Sequence, residues 1–198
     1  IWLGLVGSEM CIRDRFKRPT PGHTYLTSLD PSMGTGGDYA AIQVFELPTF
    51  EQVGEWHHNM TPMNQQVRIL QGINKHIHDS IIEKDSSASP QIFYSMENNT
   101  IGEAALMRVM DIGEENIMGM FLSEPIRKGH RRKFRRGFNT TAKHKIDACT
   151  KFKELVEGGK MKINSQLLIS EMKDFVATGL SYKAVSYTHL TLPTISSV

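Results

Sequence analysis

Two acids each close a predicted strand and are followed at once by turn residues. They are Asp30 in Ser28-Leu29-Asp30-Pro31-Ser32-Met33-Gly34-Thr35-Gly36-Gly37-Asp38-Tyr39 and Glu97 in Ile92-Phe93-Tyr94-Ser95-Met96-Glu97-Asn98-Asn99. A carboxylate ending a buried strand is costly to place, because a desolvated charge needs a partner. On neighbouring parallel strands the two would stand about 5 Å apart, the ordinary strand spacing. Carboxylates that close do not both stay ionised unless a cation sits between them. The simplest arrangement is a divalent metal site, and with it phosphodiester chemistry. Taken singly, each acid has a plainer reading, an Asx turn before Pro31 for Asp30 and a strand-end cap for Glu97.

The surrounding pattern supplies the strands. Thr24 to Asp30 alternates, Tyr39 to Leu47 is rich in Ala, Ile, Val and Phe, and Val53 to His58 follows a short turn. These read as a three-stranded antiparallel meander. Thr61 and Pro62 open a helix with Val67, Ile69, Leu70, Ile73, Ile77 and Ile81 at mostly helical spacing, and the polar stretch Asp85 to Pro90 ends it. Ile92 to Glu97 is then a fourth strand reached by a crossover. A short helix is expected over Gly102 to Met110 and a fifth strand over Asn116 to Leu122. Thr140-Thr141 caps a helix whose face carries Ile146, Cys149, Phe152, Leu155 and Val156, and Gly158-Gly159 stops it. A short strand over Lys160 to Ile163 and a last amphipathic helix over Ser165 to Ala177 complete the reading.

The formal charge of +2 hides a local excess: Arg127-Lys128-Gly129-His130-Arg131-Arg132-Lys133-Phe134-Arg135-Arg136. Such a run cannot enter a core. Beside a metal-binding acid pair, its seven Arg and Lys positions (Arg127, Lys128, Arg131, Arg132, Lys133, Arg135 and Arg136) point to the DNA backbone, although a solvated loop is the common fate of a charge run. Lys143 and Lys145 follow Thr140-Thr141 at a helix start, where free backbone N–H groups suit a phosphate and ordinary capping is the alternative. Asp38 either faces the metals from the second strand or simply suits the hairpin. His57 and His58 sit on the third strand and face opposite ways. Gly34, Gly36 and Gly37 precede no Gly-Lys-Ser/Thr, so they make no phosphate-cradling P-loop. With two cysteines, Cys11 and Cys149, neither a disulfide framework nor zinc spacing exists. Nothing reads as a membrane span.

Four segments in order, Ser28 to Tyr39, Tyr94 to Gly102, Gly137 to Lys145 and Gly179-Leu180-Ser181-Tyr182-Lys183-Ala184, resemble the nuclease domain of tailed-phage terminase large subunits. The resemblance spans roughly Thr24 to Ala184. It implies an α/β, ribonuclease H-like fold: a mixed sheet, antiparallel in its first three strands and parallel thereafter, flanked by helices. It also implies a metal-dependent endodeoxyribonuclease that cuts concatemeric viral DNA in the host cytoplasm during virion assembly. Asp30 and Glu97 would hold Mg²⁺ or Mn²⁺, two ions in a two-metal scheme, with Asp38 as a third candidate. Double-stranded DNA would be the substrate. The portal protein, the small terminase subunit and an ATPase domain upstream in the same chain would be the partners.

Residues 1–15 and 185–198 resemble translated sequencing-adapter read-through and are expected to lie outside the nuclease domain, 16–184. The family's third essential acid follows its Gly-x-Ser-Tyr-x-Ala segment, and the stretch after Ala184 holds no Asp or Glu. The expectation is therefore an incomplete metal site with weak or no cleavage. Two other readings stand beside this one: another ribonuclease H-like nuclease such as a resolvase, and a DNA-binding module without chemistry. Metal dependence separates the enzymes from the binding module.

Overall fold

The computed structural model describes residues 14–124, 136–173, 175–178 and 181–184. Residues 127–135 of the basic run and most of the two adapter-like ends lie outside the described residues. Three strands form the expected meander: β2 (Thr24–Asp30), β3 (Ala40–Leu47) and β4 (Glu51–His58), antiparallel in sequence order. A two-residue strand, β1 (Asp14–Arg15), pairs with the outer edge of β4. Helix α1 (Met63–Lys84) crosses over and returns the chain to β5 (Gln91–Met96), which pairs parallel to β2. After helix α2 (Thr100–Ile112), the short β6 (Met120–Phe121) adds parallel to β5. The sheet order is β1-β4-β3-β2-β5-β6, mixed as expected.

Helices cover both faces. The larger core packs α1 and α2 on one side of the sheet, where Tyr25, Leu29, Ile42, Val44 and Trp56 meet Val67, Leu70, Ile73, Ile77 and Ile81. The predicted apolar face of α1 is the face that is buried. On the other side, α3 (Ala142–Glu157) brings Phe152, Leu155 and Val156 onto Phe45 and Leu26. Thr141 caps α3, its hydroxyl accepting the His144 N–H at 3.2 Å. Gly158 ends the helix and Gly159 follows in the left-handed region at φ 64°. Cys149 is buried there, and burial pushes its thiol up, which suits a core residue and not a nucleophile. No helix among the described residues is long and apolar enough to cross a membrane.

Three expectations need correction. The apolar run over Asn116 to Leu122 yields only Met120–Phe121 as strand. A 3₁₀ turn occupies Glu114–Asn116, and Gly119 at φ 110° presses against the Ile92 carbonyl, so the chain reaches the sheet late. Lys160 to Ile163 makes a single bridge, Lys162 to Glu51, in place of a strand. The helix predicted to run from Ser165 to Ala177 is α4 (Gln166–Lys173) followed by a separate hairpin, β7 (Phe175–Thr178) and β8 (Ser181–Ala184). Phe175-Val176-Ala177-Thr178 favours strand once a partner is available, and Ser181–Ala184 is that partner.

Candidate active site

The parallel pairing of β2 with β5 ends at Leu29 opposite Met96, and the Glu97 N–H donates to the Leu29 carbonyl at 3.1 Å. Asp30 and Glu97 therefore leave adjacent parallel strands at the same level. Their carboxyl groups hydrogen-bond to each other. Directly opposed residues share a face, so the register places His57, Ala41, Asp30 and Glu97 in one row across the sheet. That row lies on the α3 side, opposite the large core. Ala41 leaves the row low beside Asp30, and the rings of His57 and Tyr39 meet with centroids 5.9 Å apart. His57 is thus the member of its pair on the acid face, while His58 turns to the Thr61 hydroxyl at 2.7 Å.

Burial holds the Asp30 carboxyl well above the usual carboxylate range, and the charge and hydrogen bond of Glu97 raise it further. Asp38 adds to the rise from the loop before β3, where it is exposed. Lys145, half-buried in the first turns of α3, opposes it. The residue expected to meet DNA phosphate thus also reaches the acid pair. Lys143 is exposed on the same turn. Arg136, the member of the basic run that the structure describes, pairs with Glu114 and lies 5.3 Å over the Phe121 ring.

Glu97 is held from two directions that sequence reasoning missed. Asn99 caps α2: its Oδ1 accepts the N–H groups of Ile101 at 3.0 Å and Gly102 at 2.8 Å. The same side chain donates from Nδ2 to Glu97 Oε2 at 3.1 Å. Gly102 lets the helix start sit directly on the Glu97 carbonyl, since a Cβ there would lie 1.8 Å from that oxygen. On the other side, Gly137 and Phe138 run beside the end of β5. Phe138 N–H donates to the Met96 carbonyl at 3.1 Å, and Asn98 N–H donates to the Phe138 carbonyl at 2.6 Å. Asn98 Nδ2 also donates to the Arg136 carbonyl at 2.7 Å. The legible signal was Asn99 three positions ahead of Gly102, an N-cap spacing.

One step back along the same face lies a second acid pair, Glu55 of β4 and Glu171 of α4. Ser165, whose Oγ accepts the Leu168 N–H at 3.0 Å, donates to Glu55 Oε1 at 2.7 Å and so ties α4 to the sheet. Burial, with the charge of Glu55 behind it, pushes the Glu171 carboxyl up to about 7. The unfolded chain ionises Glu171 near the ordinary glutamate value, whereas the folded protein keeps the proton until about pH 7. Stability is therefore lost as pH rises through that window. Glu171→Gln is expected to leave the midpoint unchanged near pH 4 and to raise stability at pH 8 by on the order of 2 kcal/mol. Urea denaturation at the two pH values checks this, and an equal effect at both would sink it.

The acids suit a hard divalent cation. Both donors are carboxyl oxygens, they converge, and burial followed by Glu97 penalises the charge on Asp30 without a cation. Among the described residues, no group of three or more His, Cys, Asp or Glu is placed to hold a metal ion.

No family model matches the chain. Solved structures do. The large terminase nuclease from thermophilic phage G20c superposes with a TM-score of 0.64 at 15% identity, covering 94% of this chain and 89% of its own. The same domain is known with bound magnesium. The large terminase nuclease domain of Thermus phage P74-26 gives 0.59 at 16% identity, covering 87% and 76%. The manganese-soaked human cytomegalovirus terminase nuclease domain gives 0.52 at 13%, covering 76% and 74%. At such identities the likeness is one of fold, and the mixed sheet flanked by helices is the fold of terminase nuclease domains.

Proposed function

We propose that this chain is the nuclease domain of a phage terminase large subunit, cutting double-stranded DNA with divalent metal at Asp30 and Glu97. The observation that carries the reading is the convergence of the two carboxyls at the ends of adjacent parallel strands, where burial and then Glu97 push the Asp30 carboxyl above its usual range. Bound Mg²⁺ or Mn²⁺ would supply an acidified water and charge neutralisation at the scissile phosphate. Asp30 and Glu97 would hold the ions, two in the full scheme, and Asn99 donates to the Glu97 carboxylate from the start of α2. Asp38 adds negative charge from the loop before β3, close enough to act on Asp30 but not placed with the pair as a third ligand. Lys145 tempers the charge of the pair and stands where an incoming phosphate would need a cation. Lys143, Arg136 and the charge of the other Arg and Lys residues of the basic run would add to that attraction for the DNA backbone. The packaging partners, the portal and the small subunit, and the host cytoplasm as the place of action belong to the same proposal.

Two converging carboxylates bind a divalent ion weakly, so Mn²⁺ uptake by the purified chain is expected in the millimolar range. Titration calorimetry measures it. Incubation with plasmid DNA tests the chemistry: nicking or linearisation that appears with Mn²⁺ and vanishes with a chelator is the expected result, slow if the third carboxylate is lacking. A chain that takes up no Mn²⁺ yet binds DNA with steep salt dependence would leave only the binding module.

A further inference from the structure

Gln66 stands on α1 among the residues that face the sheet, and it is fully buried. Its side chain does for Ser32 what a neighbouring strand would do. Oε1 accepts the Ser32 N–H at 3.2 Å, and Nε2 donates to the Ser32 carbonyl at 2.9 Å. The same Nε2 donates its other hydrogen to the Thr61 carbonyl at 2.7 Å. Every donor of the amide is used.

The place it grips matters. Pro31 has no N–H, so the first backbone donor after Asp30 belongs to Ser32, and Gln66 takes it. Further along the loop, Gly34 presses on the Thr61 carbonyl: a Cβ there would lie 2.1 Å from that oxygen, and its φ of 69° disfavours any side chain. The chain leaving Asp30 is thus fixed by the buried amide at Ser32 and by close packing at Gly34. On the near side the sheet register fixes Asp30 against Ala41. The two ends of the residue are held by different parts of the molecule.

We propose that Gln66 is a positioning residue for the acid pair: by holding the Ser32 peptide it sets the path beyond Asp30, and so the placement of the Asp30 carboxylate against Glu97. The inference rests on the reading of that pair as a metal site. Gln66 acts from the α1 side and reaches the pair only through the loop. Groups that orient metal ligands from behind commonly cost 10- to 100-fold in metal affinity when removed. A merely structural Gln66 would lower the melting temperature and leave the affinity of the folded protein alone.

Mn²⁺ titration calorimetry on the whole chain separates these roles, with thermal melts run on the same samples. Gln66→Met keeps the side-chain volume and removes all three hydrogen bonds. Gly34→Ala keeps the Gln66 amide and its grip on Ser32, but presses on the Thr61 carbonyl that the amide also bonds, and so disturbs the same loop from its other contact. Both are expected to weaken Mn²⁺ binding about tenfold or more. Unchanged affinity in folded Gln66→Met overturns the inference, and if that variant does not fold, unchanged affinity in Gly34→Ala overturns it. A wild-type chain that takes up no Mn²⁺ overturns the metal reading and this inference together.

Discussion

Asp30→Asn is expected to make the metal-free protein more stable at pH 8 while removing both its response to Mn²⁺ and its DNA cleavage. The sign follows from proton uptake. In the unfolded chain Asp30 ionises in the ordinary carboxylate range, whereas burial and Glu97 keep it protonated to higher pH in the folded protein. The folded state then binds more protons across that window, and stability falls as pH rises through it. Asparagine keeps the shape and cannot ionise, so the penalty disappears. Relief of a strained buried charge is worth roughly 1–2 kcal/mol, or about 2–8 °C for a domain of this size. Near pH 4 the wild type and variant should melt together. With Mn²⁺ present the order reverses, because only the wild type is stabilised by a bound ion. Melts at the two pH values, with and without Mn²⁺, read all of this. A variant less stable than wild type at pH 8 without metal would show that Asp30 carries no such penalty.

Gly102→Ala is expected to damage the fold and the site at once. The added Cβ would lie 1.8 Å from the Glu97 carbonyl oxygen and 2.8 Å from its carbon. Both are backbone atoms at the end of β5, so no side chain can swing aside. Either the start of α2 lifts off the strand, breaking the Asn99 cap, or Glu97 moves away from Asp30. Overpacking of this kind costs up to about 3 kcal/mol, or roughly 6–12 °C. Mn²⁺ uptake should fall in the fraction that still folds. Thermal melting with calorimetry checks both halves, and a variant with wild-type melting and wild-type uptake would mean that α2 does not bear on Glu97.

The acid pair was legible because its signal is local: a strand pattern, then a carboxylate, then turn residues, twice. The meander and α1 were legible for the same reason, since period and turn chemistry are written within a few residues. The end of the described chain was not. Ser165 to Ala177 keeps a helical spacing, yet Phe175–Thr178 pairs with Ser181–Ala184, and that pairing depends on a partner beyond the window that periodicity reads. Gln66 and Asn74 show a different limit. Buried amides on a helix look like surface residues by type, and only their phase betrays them: both fall on the face of Leu70, Ile73 and Ile77. Asn74 spends its amide on the Thr27 hydroxyl at 2.8 Å and the Met118 carbonyl at 2.9 Å, contacts that no single-segment reading reveals. Lys145 was expected beside DNA, and its reach to Asp30 became visible only when α3 was laid over the sheet.

The parallel junction of β2 and β5 also dictates an order of events. Asp30 and Glu97 belong to segments separated by β3, β4 and the whole of α1, and no local structure brings them together. Helix α1 can form early from neighbouring residues, and the meander closes through short turns. The acid pair exists only after the crossover is complete and β5 has docked against β2, the slow, long-range step of such a topology. A metal ion therefore has nothing to template in the nascent chain. On the proposed reading an ion would meet a finished site, and bound metal would mark a chain that has already folded.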